Sequence, residues 1–277
     1  MTGSLGDAFE VHDFDLPATA PDWHGVNGTG DYVVLAFARA PVLIEHEGGR
    51  PLVADRNAAM LYNPGQRYRR GLLDERGDNC VFMRLGIECA AEAFGAHDAR
   101  VADRGPAPVS APRAPLDDAA ALQLGRMLGA RRRGDRLAAD EAAIGVIDAV
   151  ASASARMLDA PAPGATRPDT RDAHEDLVER ARAEVARSIA ENRSLASIAR
   201  AVHASPYHLA RVFRAWTGQS IGSYRVQLRL RAAAEQLAET DDTITNIACR
   251  TGFASHAHLT TAFRRAFGVT PSAFRRG

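Results

Sequence analysis

Side chains able to read base pairs are concentrated between residues 207 and 264. Arg211 carries a guanidinium fork that matches O6 and N7 of guanine, a pairing worth roughly 1–3 kcal/mol of discrimination. A phosphate contact or a solvated arginine explains Arg211 equally well. Hydroxyl and methyl groups nearby suit phosphate oxygens and thymine methyls, and Arg265 is expected to hold the phosphate backbone. The candidate DNA-contacting residues are Tyr207, His208, Ala210, Arg211, Arg214, His256, Ala257, Thr260, Thr261 and Arg264.

Three histidines in this stretch raise the alternative of a metal site. His256 and His258 are two residues apart and therefore do not share a helix face, while His208 belongs to a different helix. Neither a metal nor another cofactor is expected, and no catalytic residue is assigned.

The candidates belong to a pattern that occurs twice, with most matching positions 50 residues apart. The offset is 49 from Ile198 to Ile247 and 50 from Ser205 to Ser255, so the second copy has one extra turn residue. Each copy predicts a short helix, a tight turn and a longer helix that begins at a serine N-cap and ends at a glycine. This order is typical of a helix-turn-helix, whose second helix lies in the DNA major groove. We expect the two units at about 195–217 and 244–267.

Helical spacing separates an inner from an outer face in each second helix. The expected inner residues are Leu209, Val212, Phe213 and Trp216 in the first copy, and Leu259, Ala262, Phe263 and Ala266 in the second. Between the copies, Ile221–Ala238 predicts one long helix that would fix the separation of the two recognition helices. Insertion into successive major grooves requires a spacing of about 34 Å. Because straight DNA does not have to match that spacing, we expect the DNA to bend.

Charge supports the same interpretation. The chain has 34 basic and 34 acidic side chains, and all basic ones are arginine. From Arg193 to Gly277, twelve arginines stand against four acids, which gives +8 and leaves −8 for residues 1–192. A basic domain attracts phosphates through counterion release.

Composition indicates an ordinary two-domain protein. The chain has 277 residues, of which 46 % are hydrophobic, with no signal-like start and no stretch of 18 apolar residues. Cys80, Cys89 and Cys249 have no paired spacing, so a disulfide framework is not expected. We expect a cytoplasmic protein without a membrane contact.

The first half has the pattern of short strands. Residues 1–28 are expected to form an arm, and strands are predicted at Tyr32–Ala38, Ala58–Tyr62 and Cys80–Ile87. A hairpin is predicted from Val42–His46 and Leu52–Ala54. Gly and Pro at regular intervals favour a small antiparallel barrel or sandwich.

Two helices, about Leu116–Ala130 and Leu137–Leu158, are predicted next. Ile144, Ile147, Ala151 and Leu158 are expected near one face of the second. This pair either caps the barrel or pairs with a second copy of itself. The expected domains are therefore 1–115 for the arm and barrel, 116–159 for a dimerising helical pair, 160–171 for a linker, and 172–277 for DNA binding.

The last 100 residues closely resemble the AraC/XylS family of transcription regulators. The strongest match runs from Ile247-Ala248 through Gly252-Phe253, Leu259 and Phe263-Arg264 to Phe267-Gly268, Pro271 and Phe274-Arg275. The resemblance implies a seven-helix domain with two helix-turn-helix units. It assigns DNA contacts to Tyr207, Ala210, Arg211, His256, Ala257, Thr260 and Thr261. Where other members often carry longer polar side chains, this chain has Ala210 and Ala257, which shifts the expected readout toward apolar contacts or DNA shape.

The stretch Ile44-Glu45-His46-Glu47-Gly48-Gly49-Arg50-Pro51 resembles the cupin-type sensor of that family. The resemblance implies an effector pocket in the barrel and dimerisation through the helices that follow it. The overall fold class is then α+β, with a cupin-like β-barrel and helical pair before an all-α domain. The expected partners are double-stranded DNA, a small-molecule effector, a second copy of the chain and RNA polymerase.

Two further hypotheses remain at this point. A metal-dependent cupin enzyme with a DNA-binding appendage needs several histidines and a carboxylate around one ion. His46 has only Glu45 and Glu47 beside it, and adjacent residues of a strand point to opposite faces. His24 and His97 lie far away in sequence. The other hypothesis, a nonspecific architectural binder, does not account for a separate 170-residue domain. Trp23, His24, Arg39 and Tyr62 are candidates for a pocket lining, but structural roles are favoured and no ligand residues are assigned.

Overall fold

The computed structural model describes residues 8–159 and 167–277, except for the side chains of Asp22, His24 and Pro168. Most of the expected linker, residues 160–166, lies outside the described residues. Contacts divide the chain into two compact units. The first contains residues 1–120 and 144–160, and the second contains residues 121–143 and 161–277.

Nine strands of the described residues belong to the first unit. They are β1 (Phe9–Leu16), β2 (Val26–Gly28), β3 (Val33–Ala38), β4 (Val42–His46), β5 (Pro51–Ala54), β6 (Ala58–Tyr62), β7 (Arg67–Leu72), β8 (Asp78–Leu85) and β9 (Arg113–Pro115). They form two antiparallel sheets with the orders β1-β8-β3-β6-β9 and β2-β7-β4-β5. The expected α+β class is confirmed, although the two sheets do not close into a single barrel among the described strands.

Strand β3 is apolar along its whole length because both of its faces are covered. Val33, Leu35 and Phe37 are buried on one face. Val34 and Ala36 alternate with them and border a cavity between the sheets, where they keep partial exposure. A continuous apolar run thus marks a strand with two buried sides.

The expected N-terminal arm is wrong for residues 9–16 and 26–28, which form strands β1 and β2. Strand β1 pairs with β8 over its full length, from Phe9 opposite Leu85 to Leu16 opposite Asp78. Acidic and histidine side chains within β1 hide it from a search for apolar runs. The predicted β4–β5 hairpin is confirmed, with Glu45 opposite Pro51.

Three helices follow or flank the last strands: α1 (Ile87–Gly95), α2 (Asp118–Arg133) and α3 (Arg136–Asp159). Helices α2 and α3 confirm the two predicted helices, whereas α1 was not predicted. The four residues expected near one face of α3 differ in burial. Ile147 and Ala151 are buried, but Ile144 is 46 % and Leu158 37 % exposed.

The described residues from 167 onward contain seven helices, as the family resemblance implies. They are α4 (Pro168–Arg187), α5 (Leu195–Ala201), α6 (Pro206–Thr217), α7 (Ile221–Glu239), α8 (Ile244–Arg250), α9 (His256–Phe267) and α10 (Pro271–Arg276). Helix α7 is continuous over 19 residues, so the predicted long helix is confirmed. Within the described ranges, no helix combines bilayer-spanning length with enough apolar character to cross a membrane.

Candidate nucleic-acid interface

Each predicted helix-turn-helix begins and ends with the expected caps. Ser205 Oγ accepts a hydrogen bond from the His208 N–H at 3.2 Å, and Ser255 Oγ accepts one from the His258 N–H at 3.1 Å. These bonds satisfy backbone donors that have no partner within the helix. Gly218 and Gly268 end α6 and α9 in the left-handed region, at φ 72° and 73°. The cap residues therefore define the two recognition helices at both ends.

The inner faces of α6 and α9 hold these helices in the domain. Leu209, Val212 and Phe213 are buried in α6, and Leu259 and Phe263 are buried in α9. The remaining expected inner residues are only partly buried; they are Trp216, Ala262 and Ala266. Buried aromatic and aliphatic side chains of this size hold each recognition helix firmly against its neighbours.

The outer faces carry the sequence-predicted candidates. Tyr207 is 80 % exposed at the start of α6, and Arg211 is exposed one turn further on. The other exposed candidates are Arg214, His256, Ala257, Thr261 and Arg264. Ala210 and Thr260 occupy equivalent positions and are partly exposed. All these side chains are therefore accessible from solvent, which is what a DNA contact requires.

His208 has a different environment from the other candidates. Its ring lies 5.5 Å from the ring of His174 on α4, centroid to centroid, and it is partly buried. Burial lowers the pKa of His174, and the nearby charges of His208 and Arg211 lower it further. His208 thus packs against α4 and is less accessible than the exposed candidates of α6.

Not every arginine of the basic region contributes to the surface. Arg229 and Arg231 are buried in α7. Arg229 Nη2 donates to the Glu191 carbonyl at 3.0 Å and to Asn192 Oδ1 at 3.1 Å, so it holds the segment before α5. Burial and the charge of Arg225 lower the pKa of Arg229. The charge presented to a phosphate backbone is smaller than the sequence count of +8 indicates.

The structure adds a basic groove that sequence reasoning missed. A cavity of about 290 Å³ beside α6 is bordered by Ala210, Arg214 and Ser220 together with Arg193 and Arg225. Three guanidinium groups around one groove suit a phosphate of the DNA backbone. The sequence indicates this groove only through Arg225, which recurs as Arg275 at the same position of the second copy.

The two copies share one bracing contact but differ in charge beside it. Arg225 Nη1 donates to the Arg193 carbonyl at 2.8 Å, and Arg275 Nη2 donates to the Asp242 carbonyl at 2.6 Å. Arg193 and Asp242 are therefore equivalent positions with opposite charge. Each is paired, Arg193 with Glu184 at 2.6 Å and Asp242 with Arg250. Each position thus belongs to an ion pair, and the two copies differ in which sign the position itself carries.

Comparisons with known proteins give matches to part of the chain. Residues 198–277 match a family model described as a helix-turn-helix domain. AdaA of Bacillus subtilis (strain 168), a bifunctional transcriptional activator and DNA repair enzyme, is 34 % identical over 90 residues, 32 % of this chain and 43 % of that protein. The regulatory protein SoxS of Escherichia coli (strain K12) is 41 % identical over 71 residues, 26 % of this chain and 66 % of that protein.

One crystal structure gives a comparison at the level of the domain. It is that of a transcriptional regulator with an AraC-type DNA-binding domain from Chromobacterium violaceum, which is 28 % identical, with a TM-score of 0.36. The aligned region covers 38 % of this chain and 94 % of the Chromobacterium violaceum chain. The chain spans less than half of AdaA and 66 % of SoxS, so the similarity concerns one part of each relative.

Proposed function

The C-terminal domain of this chain belongs to the AraC/XylS family of transcription regulators, and on that premise we propose a regulator that binds one promoter sequence with both recognition helices. The observation that carries this proposal is the pair of exposed outer faces on α6 and α9. Both faces lack carboxylates, and both helices are held by capped ends and buried inner side chains. Because such a domain binds chromosomal DNA, we propose a cytoplasmic location for the protein.

The test compares binding to the upstream region of the gene with binding to a scrambled duplex. Arg211→Ala should weaken binding to the specific duplex about fivefold to a hundredfold, because a bidentate contact to guanine contributes roughly 1–3 kcal/mol. It should weaken binding to the scrambled duplex much less. Fluorescence anisotropy titration at fixed salt measures both affinities.

Arg214→Ala is the matched variant for a backbone contact. It should weaken both duplexes alike and reduce the salt slope by about 1. Arg136→Ala, on α3 outside the interface, should change neither affinity; this side chain is 81 % exposed. Equal affinity of the unmodified protein for the two duplexes at physiological salt would contradict the proposal.

We further propose that the first unit binds a small-molecule effector. The support is the cavity of about 330 Å³ between the two sheets, which is within the size range of ligand pockets. We also propose RNA polymerase as a partner, since activation of transcription would use such a contact.

A homodimer through the helical pair is the proposed assembly. Ile144 and Leu158 are large apolar side chains exposed on α3, and their separation of 14 residues places them near one face of the helix. Ile144→Glu should shift the sedimentation coefficient from the dimer toward the monomer. An unchanged coefficient, or a monomer before substitution, would contradict this assembly.

We propose no catalytic activity. His46 is buried while Glu45 and Glu47 are exposed, so the three side chains do not converge on one ion. Among residues 8–159 and 167–277, no group of three or more His, Cys, Asp or Glu side chains could hold a metal. Stoichiometric iron, manganese or zinc in the purified protein would instead favour the metal-dependent cupin enzyme.

A further inference from the structure

The cavity between the sheets has an apolar wall and a polar end. The wall is formed by side chains from both sheets, chiefly Val34, Ala36, Val42, Ile44 and Met60. Val34 and Ala36 are partly exposed, which shows that the cavity is open to solvent. An apolar surface left uncovered in the middle of a domain favours an apolar ligand.

An ion pair that joins the two sheets forms the polar end. Arg70 Nε on β7 lies 2.9 Å from Asp78 Oδ2 on β8, and both side chains are largely buried. Arg70 Nη2 donates to the Tyr68 hydroxyl at 2.7 Å, and its guanidinium stacks on Phe14 at 4.5 Å. Burial raises the pKa of Asp78, and the charge of Arg70 opposes that rise. The pair is thus held rigidly at the edge of the cavity.

Hydrogen-bonding capacity is left over at this end. In the described part of the chain, Arg70 Nη1 and Asp78 Oδ1 have no hydrogen-bond partner, although each residue borders the cavity. The Tyr62 hydroxyl has none either, and its ring packs between His46 and Tyr68, with centroids 4.6 and 4.8 Å away. None of these three atoms belongs to the fully buried polar atoms that lack a partner, so each is open to the cavity, where a ligand with complementary groups can bond to it.

The charges decide which ligand fits. An organic anion beside Arg70 would also lie beside the Asp78 carboxylate, and a cation beside Asp78 would lie beside the guanidinium. A neutral group with one donor and one acceptor can instead bond to both. Arg84 also borders the cavity, but it stacks on Tyr32 and is more than a third exposed, so that solvent screens its charge.

We propose that this cavity selects a neutral small molecule with an apolar ring and an adjacent donor and acceptor, such as a primary aromatic amide. The ring lies against the apolar wall, the acceptor faces Arg70 and the Tyr62 hydroxyl, and the donor faces Asp78. This inference rests on the proposed function in that it identifies the class of effector. A cavity of about 330 Å³ is small for a ligand pocket and suits one ring with a short substituent.

Four probes of nearly equal shape test the inference on the full-length protein: benzamide, benzoate, benzamidinium and toluene. The dissociation constant of each is measured from the ligand-dependent rise in Tm and from quenching of Trp23, which packs in the same apolar cluster. Benzamide should bind at least tenfold more tightly than each of the others. Equal affinities, preference for benzoate or benzamidinium, or no saturable binding would overturn the inference.

Three variants locate the site. Tyr62→Phe should weaken benzamide about threefold to tenfold, the usual effect of one lost hydrogen bond. Asp78→Asn should raise the affinity of benzoate relative to benzamide. Ala36→Leu should fill the cavity and abolish binding of all four probes. If this variant still binds them, the site lies elsewhere.

Promoter binding is measured on the same samples. Absence of specific promoter binding by the unmodified protein contradicts the proposed function, whereas intact promoter binding without a preference for benzamide contradicts this inference alone.

Discussion

At the scale of single residues, one left-handed position makes each tight turn. It is His203 in the first copy, at φ 57°, and Gly252 in the second, at φ 81°. The two lie 49 residues apart, and the extra residue of the second copy follows Gly252. A Cβ on Gly252 would lie 2.7 Å from the Ala190 Cα and carbonyl oxygen. Glycine is therefore favoured at position 252 for two reasons: the backbone is left-handed, and the Ala190 backbone lies too close for a Cβ atom.

Gly252→Ala should lower the free energy of unfolding by about 2–4 kcal/mol, since left-handed strain adds to the collision with Ala190. Gly268→Ala is the control, because φ is 73° there but nothing lies within 4 Å of the added methyl. It should cost about 1–2 kcal/mol. Urea denaturation followed by circular dichroism measures both, and equal costs would contradict the role of the Ala190 contact.

His46 makes the first unit sensitive to acid. Burial lowers the pKa of His46 from 6.5 to about 4, and its Nε2 is buried without a hydrogen-bond partner in the described structure. The unfolded chain thus binds the proton more tightly than the folded one. The stability from this residue is complete above about pH 6.5 and is lost as the pH falls toward 4.

His46→Leu should remove this loss, which we expect to reach about 2–3 kcal/mol between pH 7 and pH 4.5. Unfolding free energies of both proteins at the two pH values give the comparison. His256→Gln, which changes an exposed histidine, should retain the pH dependence of the unmodified protein. If His46→Leu loses as much stability as the unmodified protein does, another group is responsible.

At the scale of elements, the two recognition helices are alike in backbone and unlike in side chains. Tyr207 and Arg211 on α6 correspond to Ala257 and Thr261 on α9. The longer side chains of α6 reach further and offer more hydrogen bonds, and the basic groove lies beside the same helix. We therefore expect α6 to contribute more to specific affinity than α9.

Thr261→Ala should weaken specific binding by less than about threefold, while Arg211→Ala at the equivalent position weakens it fivefold or more. The two substitutions are matched because they remove the outermost polar group from the same turn of each helix. Competition binding on the same duplex measures the ratio. A larger effect of Thr261→Ala would reverse the assignment of the dominant helix.

Elements differ in how far the sequence predicts them. The recognition helices follow from their caps and apolar stripes, because these signals are local. Strand β7 escapes prediction, since its alternating residues include Arg67 and Arg69, and its role depends on partners far along the chain. The same holds for the cavity, because Arg70 and Asp78 meet only when two different sheets pack together.

At the scale of the whole molecule, the proposed DNA binding depends on a basic C-terminal region in a chain of zero net charge. Because Arg229 and Arg231 are buried, salt dependence should reflect only the surface arginines. Arg264→Ala should therefore reduce the slope of log affinity against log salt by about 1. The same slope is measured for Arg265→Ala, at the adjacent exposed position. Titrations at several salt concentrations measure the slope, and an unchanged slope for both variants would remove this end of α9 from the phosphate contacts.

The continuous helix α7 sets the distance between the two recognition helices. Its 19 residues span about 28 Å, and its buried stripe prevents it from bending freely. Binding to successive major grooves then requires the DNA to bend, so duplexes labelled at both ends should show higher energy transfer between the labels when the protein is bound.

Five extra base pairs between the half-sites rotate one of them by about half a turn, out of reach of its helix. Affinity should then fall to that of α6 alone, while ten extra pairs should not restore it because α7 cannot lengthen. Full affinity for either spaced duplex would show that the two helices bind independently.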